Sequence, residues 1–122
     1  MARIIVVDDV LDACILLKKI LERKGHEVFT FTEEEDAVGF VKKNNVDLAI
    51  LDIKLKRLSG IDLLGILKEI QPDLNVIMLT GYPTIETAKE ALNKGAKEYL
   101  VKPVDKAELE QAVDSVLSTG PS

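Results

Sequence analysis

Asp47-Leu48-Ala49-Ile50-Leu51-Asp52 is the stretch that decides the fold. An unbroken apolar run closed by an acid does not suit a half-exposed strand, which would alternate polar and apolar residues. It suits a strand buried on both faces of a parallel sheet. The same pattern recurs along the chain. Ile4-Ile5-Val6-Val7 runs into Asp8-Asp9, Val76-Ile77-Met78-Leu79 into Thr80, and Tyr99-Leu100-Val101 into Lys102. Val28-Phe29-Thr30-Phe31 carries the polar Thr30 and reads as an edge strand.

Helical periodicity fills the gaps. Leu63, Ile66, Leu67 and Ile70 follow the i, i+3, i+4, i+7 spacing, as do Leu109, Ala112, Val113 and Val116. Ala37, Phe40 and Val41, and then Ala88, Ala91 and Leu92, give shorter stripes. Thr32 with Glu35 and Asp105 with Glu108 read as N-terminal capping pairs, and Gly25 and Gly95 as helix stops. Strand and helix therefore alternate, and helical crossovers demand parallel, right-handed connections. The fold class is α/β: a flavodoxin-like, doubly wound, five-stranded parallel sheet of order 2-1-3-4-5 with five helices. In that order the first and third strands meet at the topological switch point, where ligands bind beyond the carboxyl ends of the strands.

The chain has 122 residues, enough for one domain. We expect that domain over residues 1–118 and a tail or linker stub over 119–122. Its net charge of −5 argues against a direct nucleic-acid surface, which would be basic. No signal peptide and no membrane-spanning run is apparent, and the single Cys14 leaves no internal disulfide, so the expected compartment is the cytoplasm. Cys14 shares helical spacing with Leu17 and Leu21 and reads as a small core residue, while His26 reads as a surface turn residue. One His and one Cys argue against a zinc site.

The polar residues fall where the switch-point rule wants them. Asp8, Asp9, Asp52, Thr80 and Lys102 all stand at C-terminal strand ends. Carboxylates converging on one crevice repel one another, and a hard divalent cation such as Mg²⁺ relieves that repulsion with oxygen ligands. Lys102 adds a fixed positive charge and Thr80 a hydroxyl, which together would cradle a phosphoryl group. A carboxylate is itself a competent phosphate acceptor.

Asp8-Asp9, Asp52, Thr80-Gly81 and Lys102-Pro103, in this order and each at a strand end, resemble the receiver domains of bacterial two-component response regulators. The resemblance covers roughly residues 3–118, and the segment from Leu79 to Pro103 looks most like receivers of the nitrogen-regulator class. It implies that Asp52 accepts a phosphoryl group from a phosphohistidine on a sensor histidine kinase or histidine phosphotransfer protein. It implies that Asp9, Asp52 and the backbone carbonyl of Lys54 ligate Mg²⁺, with Asp8 acting through water. Thr80 would move toward the phosphoryl oxygens, Lys102 would pair with them, and Tyr99 would couple to Thr80 as the aromatic switch. The Lys102-Pro103 bond is expected to be cis. Partners, or a second copy in a homodimer, would engage the face of the fourth helix, fifth strand and fifth helix, near Ile85, Lys89, Tyr99 and Lys106. Such a module is a switch rather than an enzyme, and its output would be transcription.

Leu55-Lys56 stands where the family usually has Met-Pro, so the loop after Asp52 is expected to be looser. Its basic run Lys54-Leu55-Lys56-Arg57 reads as a solvated loop, with docking to an acidic donor as the sharper alternative. Three rival readings fit less well. A haloacid-dehalogenase-type phosphatase wants an Asp where Lys54 stands and needs room for a cap domain. A degenerate receiver would not keep the acids, Thr80 and Lys102. A flavodoxin would not place three acids beside an anionic cofactor.

Overall fold

Strands and helices alternate strictly in the computed structural model, which describes residues 1–119. The elements are β1 (Arg3–Val7), α1 (Leu11–Arg23), β2 (Glu27–Phe31), α2 (Glu34–Lys43), β3 (Leu48–Leu51), α3 (Gly60–Ile70), β4 (Asn75–Thr80), α4 (Ile85–Asn93), β5 (Glu98–Val101) and α5 (Lys106–Ser118). All strand pairs are parallel and the order is β2-β1-β3-β4-β5, as the apolar runs predict. The domain expected over residues 1–118 spans all ten elements, and Gly120, Pro121 and Ser122 of the expected tail lie outside the described residues.

The sheet is buried on both faces because its central strands carry apolar side chains on both. Ile5, Val7, Ala49, Leu51, Val76 and Met78 pack against α2, α3 and α4, where Ala37, Leu63, Leu64, Leu67 and Ala91 are fully buried. Ile4, Val6, Leu48, Ile50, Ile77 and Leu79 pack against α1 and α5 through Cys14, Leu17, Leu21, Leu109 and Val113. Each buried Val, Leu, Ile or Met among them contributes about 1.5–3 kcal/mol. β2 is an edge strand with its outer residues only half-buried, in keeping with Thr30. Among the described residues no helix is long and apolar enough to cross a membrane.

Gly25 (φ +91°) and Gly95 (φ +109°) end α1 and α4 in the left-handed region, and Asp105 caps α5 by accepting from the Glu108 N–H. The Thr32–Glu35 capping pair is not formed. The residue preceding α2 is Glu33, which makes no side-chain cap, and the Glu35 carboxylate turns instead to Arg57. His26 is not a free surface residue: it is half-buried, and its Nδ1 accepts the Ala2 N–H at 3.1 Å. Of the helical stripes, Ala91 is buried as expected, but Leu92 is 51% exposed on the outer side of α4.

Candidate functional site

β1 and β3 adjoin at the point where the strand order reverses, and the helices that follow them pack on opposite faces of the sheet. The crevice between those departing chains is filled by acids. Val7 and Leu51 are paired in register, and the Asp52 N–H donates to the Val7 carbonyl at 3.0 Å, which sets Asp8, Asp9 and Asp52 level. One carboxylate oxygen from each lies within 4.8 Å of the others. Asp8 is 2% and Asp52 8% exposed, while Asp9 is half-buried.

These acids are not spent on capping. α1 begins after Val10 without a side-chain cap. Asp8 Oδ1 does accept the Val10 N–H at 2.9 Å, but its Oδ2 is free for Lys102. Asp9 makes no hydrogen bond or ion pair among the described residues, so its carboxylate is open to a ligand.

Lys102 reaches the crevice from the far side of the sheet. The loop after β5 is anchored by the Lys102 N–H donating to the Thr80 carbonyl at 2.8 Å, and the Lys102-Pro103 bond is cis. Lys102 Nζ then donates to Asp8 Oδ2 at 2.7 Å and to Asp52 Oδ2 at 3.1 Å. Burial pushes the Asp52 carboxyl above its ordinary value, Asp8 adds to this, and the bond to Lys102 opposes it. Burial alone would lower Lys102, but its bonds to Asp8 and Asp52 outweigh this and hold it above its ordinary value. When ionised, three carboxylates and one ammonium leave two formal negative charges. An all-oxygen donor set of that charge suits a hard divalent cation that keeps part of its water shell.

Thr80 is fully buried at the end of β4, and its Oγ1 accepts the Tyr82 N–H at 3.0 Å. Lys54 stands at the rim, its N–H donating to Asp52 Oδ1 at 3.3 Å. Tyr99 is placed elsewhere. Its neighbour across the β4–β5 ladder is Met78, and its hydroxyl is bonded to Thr87 Oγ1 at 2.7 Å and accepts the Thr84 N–H at 3.4 Å. Tyr99 therefore ties β5 to the first turn of α4 and makes no hydrogen bond to Thr80.

One residue of the site escaped the sequence reading. Glu34 opens α2 at 3% exposure, and its Oε2 accepts the N–H groups of Arg57 (2.6 Å) and Leu58 (3.1 Å) in the loop between β3 and α3. Burial would raise the Glu34 carboxyl, but its own N–H and those of Arg57 and Leu58 hold it below its ordinary value. Lys56 pairs with Glu33 at 2.8 Å and Arg57 with Glu35 at 3.4 Å. The loop expected to be loose is thus tied down despite its missing proline, and Lys56 and Arg57 face the acidic start of α2. Glu33-Glu34-Glu35 set against Lys56-Arg57 was the available signal.

Comparison with known proteins agrees with this geometry. The family model for the response regulator receiver domain matches residues 4–114. The chain is 36% identical over 118 residues to the DNA-binding transcriptional regulator NtrC of Azospirillum brasilense, covering 97% of this chain and 24% of that protein. It spans about a quarter of the length of the transcriptional regulators it matches. A CheY-like response regulator receiver domain protein from Methanospirillum hungatei superposes with a TM-score of 0.94 at 32% identity, covering 98% of this chain and 95% of that one. The beryllofluoride-activated NtrC4 receiver domain dimer superposes with a TM-score of 0.93 at 29% identity, covering 98% of each chain. With its five parallel strands and acidic switch-point crevice, the chain belongs to the response regulator receiver domain family, and it resembles receivers of the nitrogen-regulator class.

Proposed function

We propose that Asp52 is the phosphoacceptor of a signalling switch. The observation that carries this reading is the convergence of Asp8, Asp9 and Asp52 on one crevice, with Lys102 bonded to Asp8 and Asp52. An Asp52 carboxylate oxygen attacks the phosphorus of a donor phosphohistidine. The O–P bond forms, the P–N bond breaks, and the imidazole leaves. Lys102 exchanges its bond to the carboxylate for one to a phosphoryl oxygen, and the Thr80 hydroxyl donates a hydrogen bond to another, keeping its proton. Asp9, Asp52 and the Lys54 carbonyl would hold Mg²⁺, with Asp8 acting through water, and the ion supplies charge neutralisation for the incoming phosphoryl group.

The donor is a sensor histidine kinase or a histidine phosphotransfer protein. Val10, Leu11 and Ile15 are exposed apolar residues at the start of α1, directly after the acids, and offer such a protein an apolar seat beside Asp52. The output surface is the face of α4, β5 and α5, where Ile85, Leu92 and Val101 are exposed. The beryllofluoride-activated NtrC4 receiver domain is a dimer, which supports homodimerisation of this chain, and the exposed Ile85, Leu92 and Val101 are the reason for assigning it to this face. Control of transcription in the cytoplasm follows from the likeness to the nitrogen-regulator class. The test is intact-mass spectrometry after incubation with Mg²⁺ and a small acyl phosphate. Wild type should gain a single phosphoryl group and Asp52→Asn none; equal labelling of the variant overturns the reading.

A further inference from the structure

The loop between β3 and α3 (residues 53–59) carries Lys54 and has no proline to stiffen it. Its base is closed by Gly60. The Gly60 N–H donates to the Ile53 carbonyl at 2.7 Å, and a Cβ at position 60 would lie 1.9 Å from the Asp52 carbonyl oxygen, so only glycine fits. The crown of the loop is held from another element. Glu34 Oε2 bridges the consecutive N–H groups of Arg57 and Leu58, while Glu34 Oε1 is buried with no hydrogen-bond partner among the described residues.

A buried carboxylate with one unsatisfied oxygen is a poor choice for packing alone, because the lone oxygen has lost its water and gained nothing. The bridging oxygen offsets this with charge-assisted bonds to two donors fixed in the backbone. The flanking pair Arg57–Glu35 is largely solvent-exposed and Lys56–Glu33 partly so, and as surface ion pairs they add little. The buried Glu34 bridge therefore fixes the crown.

We propose that Glu34 is a positioning residue for the acidic crevice. Acting through the Arg57 and Leu58 N–H groups, it holds the loop that carries Lys54, whose N–H donates to Asp52 Oδ1 at 3.3 Å, and it thereby sets the crevice's affinity for a divalent cation. This rests on the reading of the crevice as a Mg²⁺ site. Residues that orient a metal ligand without touching the metal commonly change affinity by about 10–100-fold when removed.

Titration calorimetry with Mg²⁺ on wild type, Glu34→Ala, Glu34→Gln and Asp9→Ala tests the proposal, together with amide hydrogen exchange at Arg57 and Leu58. Glu34→Ala should bind Mg²⁺ about tenfold more weakly. Glu34→Gln keeps an acceptor oxygen for both donors and should recover most of that loss. Coupling between two sites is reciprocal, so Mg²⁺ added to wild type should slow exchange at Arg57 and Leu58, a readout that needs no variant to fold. Unchanged exchange in wild type, or wild-type Mg²⁺ affinity in Glu34→Ala with Asp9→Ala impaired, overturns the role of Glu34 and leaves the crevice standing. Failure of wild type itself to bind Mg²⁺ overturns the crevice reading and this proposal with it.

Discussion

The Lys54 ammonium lies 4.1 Å from the centre of the Tyr82 ring. Lys54 is two residues beyond Asp52 and Tyr82 two beyond Thr80, so this cation–π contact joins the loops that leave β3 and β4 on either side of the proposed phosphoryl site. Hydrolysis of an aspartyl phosphate needs a water in line with the phosphorus, and a Lys–Tyr pair offers no carboxylate or small amide to orient one. A contact of this kind is worth about 0.5–1 kcal/mol at an exposed site. Breaking it in Lys54→Asn/Tyr82→Glu should speed dephosphorylation about 2–5-fold with Mg²⁺ present. A decay rate equal to wild type would show that the two side chains do not shield the phosphoryl group.

Asp9 has neither a hydrogen bond nor an ion pair among the described residues, yet shares a crevice with Asp8 and Asp52. Asp9→Ala should therefore leave the metal-free protein at least as stable to heat, since it removes a like charge. The same variant should bind Mg²⁺ at least about tenfold more weakly, because hard cations depend on charged oxygen ligands. Unchanged Mg²⁺ affinity would place the cation elsewhere.

Phosphorylation should be felt at α4. Thr80 ends β4 and its Oγ1 holds the Tyr82 N–H, while the Tyr99 hydroxyl holds Thr87 and Thr84 at the start of α4. A phosphoryl group that draws the Thr80 hydroxyl away would favour conformers with a rearranged β4–α4 loop. Backbone NMR with a beryllofluoride mimic should show shifts at Thr84, Thr87 and Tyr99 in wild type, much reduced in Thr80→Ala. Shifts confined to residues touching the mimic would contradict a relayed switch.

His26 makes stability depend on pH. Burial lowers its pKa from the ordinary 6.5, and its Nδ1 must stay unprotonated to accept the Ala2 N–H. The unfolded chain therefore binds the proton more readily than the fold. This contribution is complete above pH 6.5 and is lost as the pH falls from 6.5 through the lowered value. Urea unfolding at pH 7.5 and pH 5.5 should show a larger loss for wild type than for His26→Gln, whose amide oxygen can still accept. Equal losses would remove His26 from the account.

The buried strands and the acids at their carboxyl ends were legible because both rest on short-range pattern, and the alternation of five strands with helices then pointed to the strand order. An apolar run ending in Asp announces a buried strand and places the acid at its carboxyl end in the same few residues. The acidic run Glu33-Glu34-Glu35 against Lys56-Arg57 signals only that the two segments attract; the role of Glu34 itself was not legible, because its partners are backbone N–H groups 23 and 24 residues away. An acid at a helix start reads as a solvated charge favoured by the helix dipole. The Thr32–Glu35 motif misled for a related reason: tertiary pairing with Arg57 claims the Glu35 carboxylate, and the helix starts without a side-chain cap. His26 follows the glycine that ends α1, which reads as a solvent-exposed turn, and only the pairing of β2 alongside β1 brings the Ala2 N–H to it.

If Asp52 carries the phosphoryl group, mapping of the modified residue will locate the modification there. The protein is treated with Mg²⁺ and a small acyl phosphate, then with borohydride, which reduces an aspartyl phosphate to homoserine, and its peptides are sequenced by mass spectrometry. Homoserine should appear at position 52 and nowhere else. Homoserine at position 8 or 9, or its absence under conditions that label a known receiver, would show that Asp52 is not the acceptor.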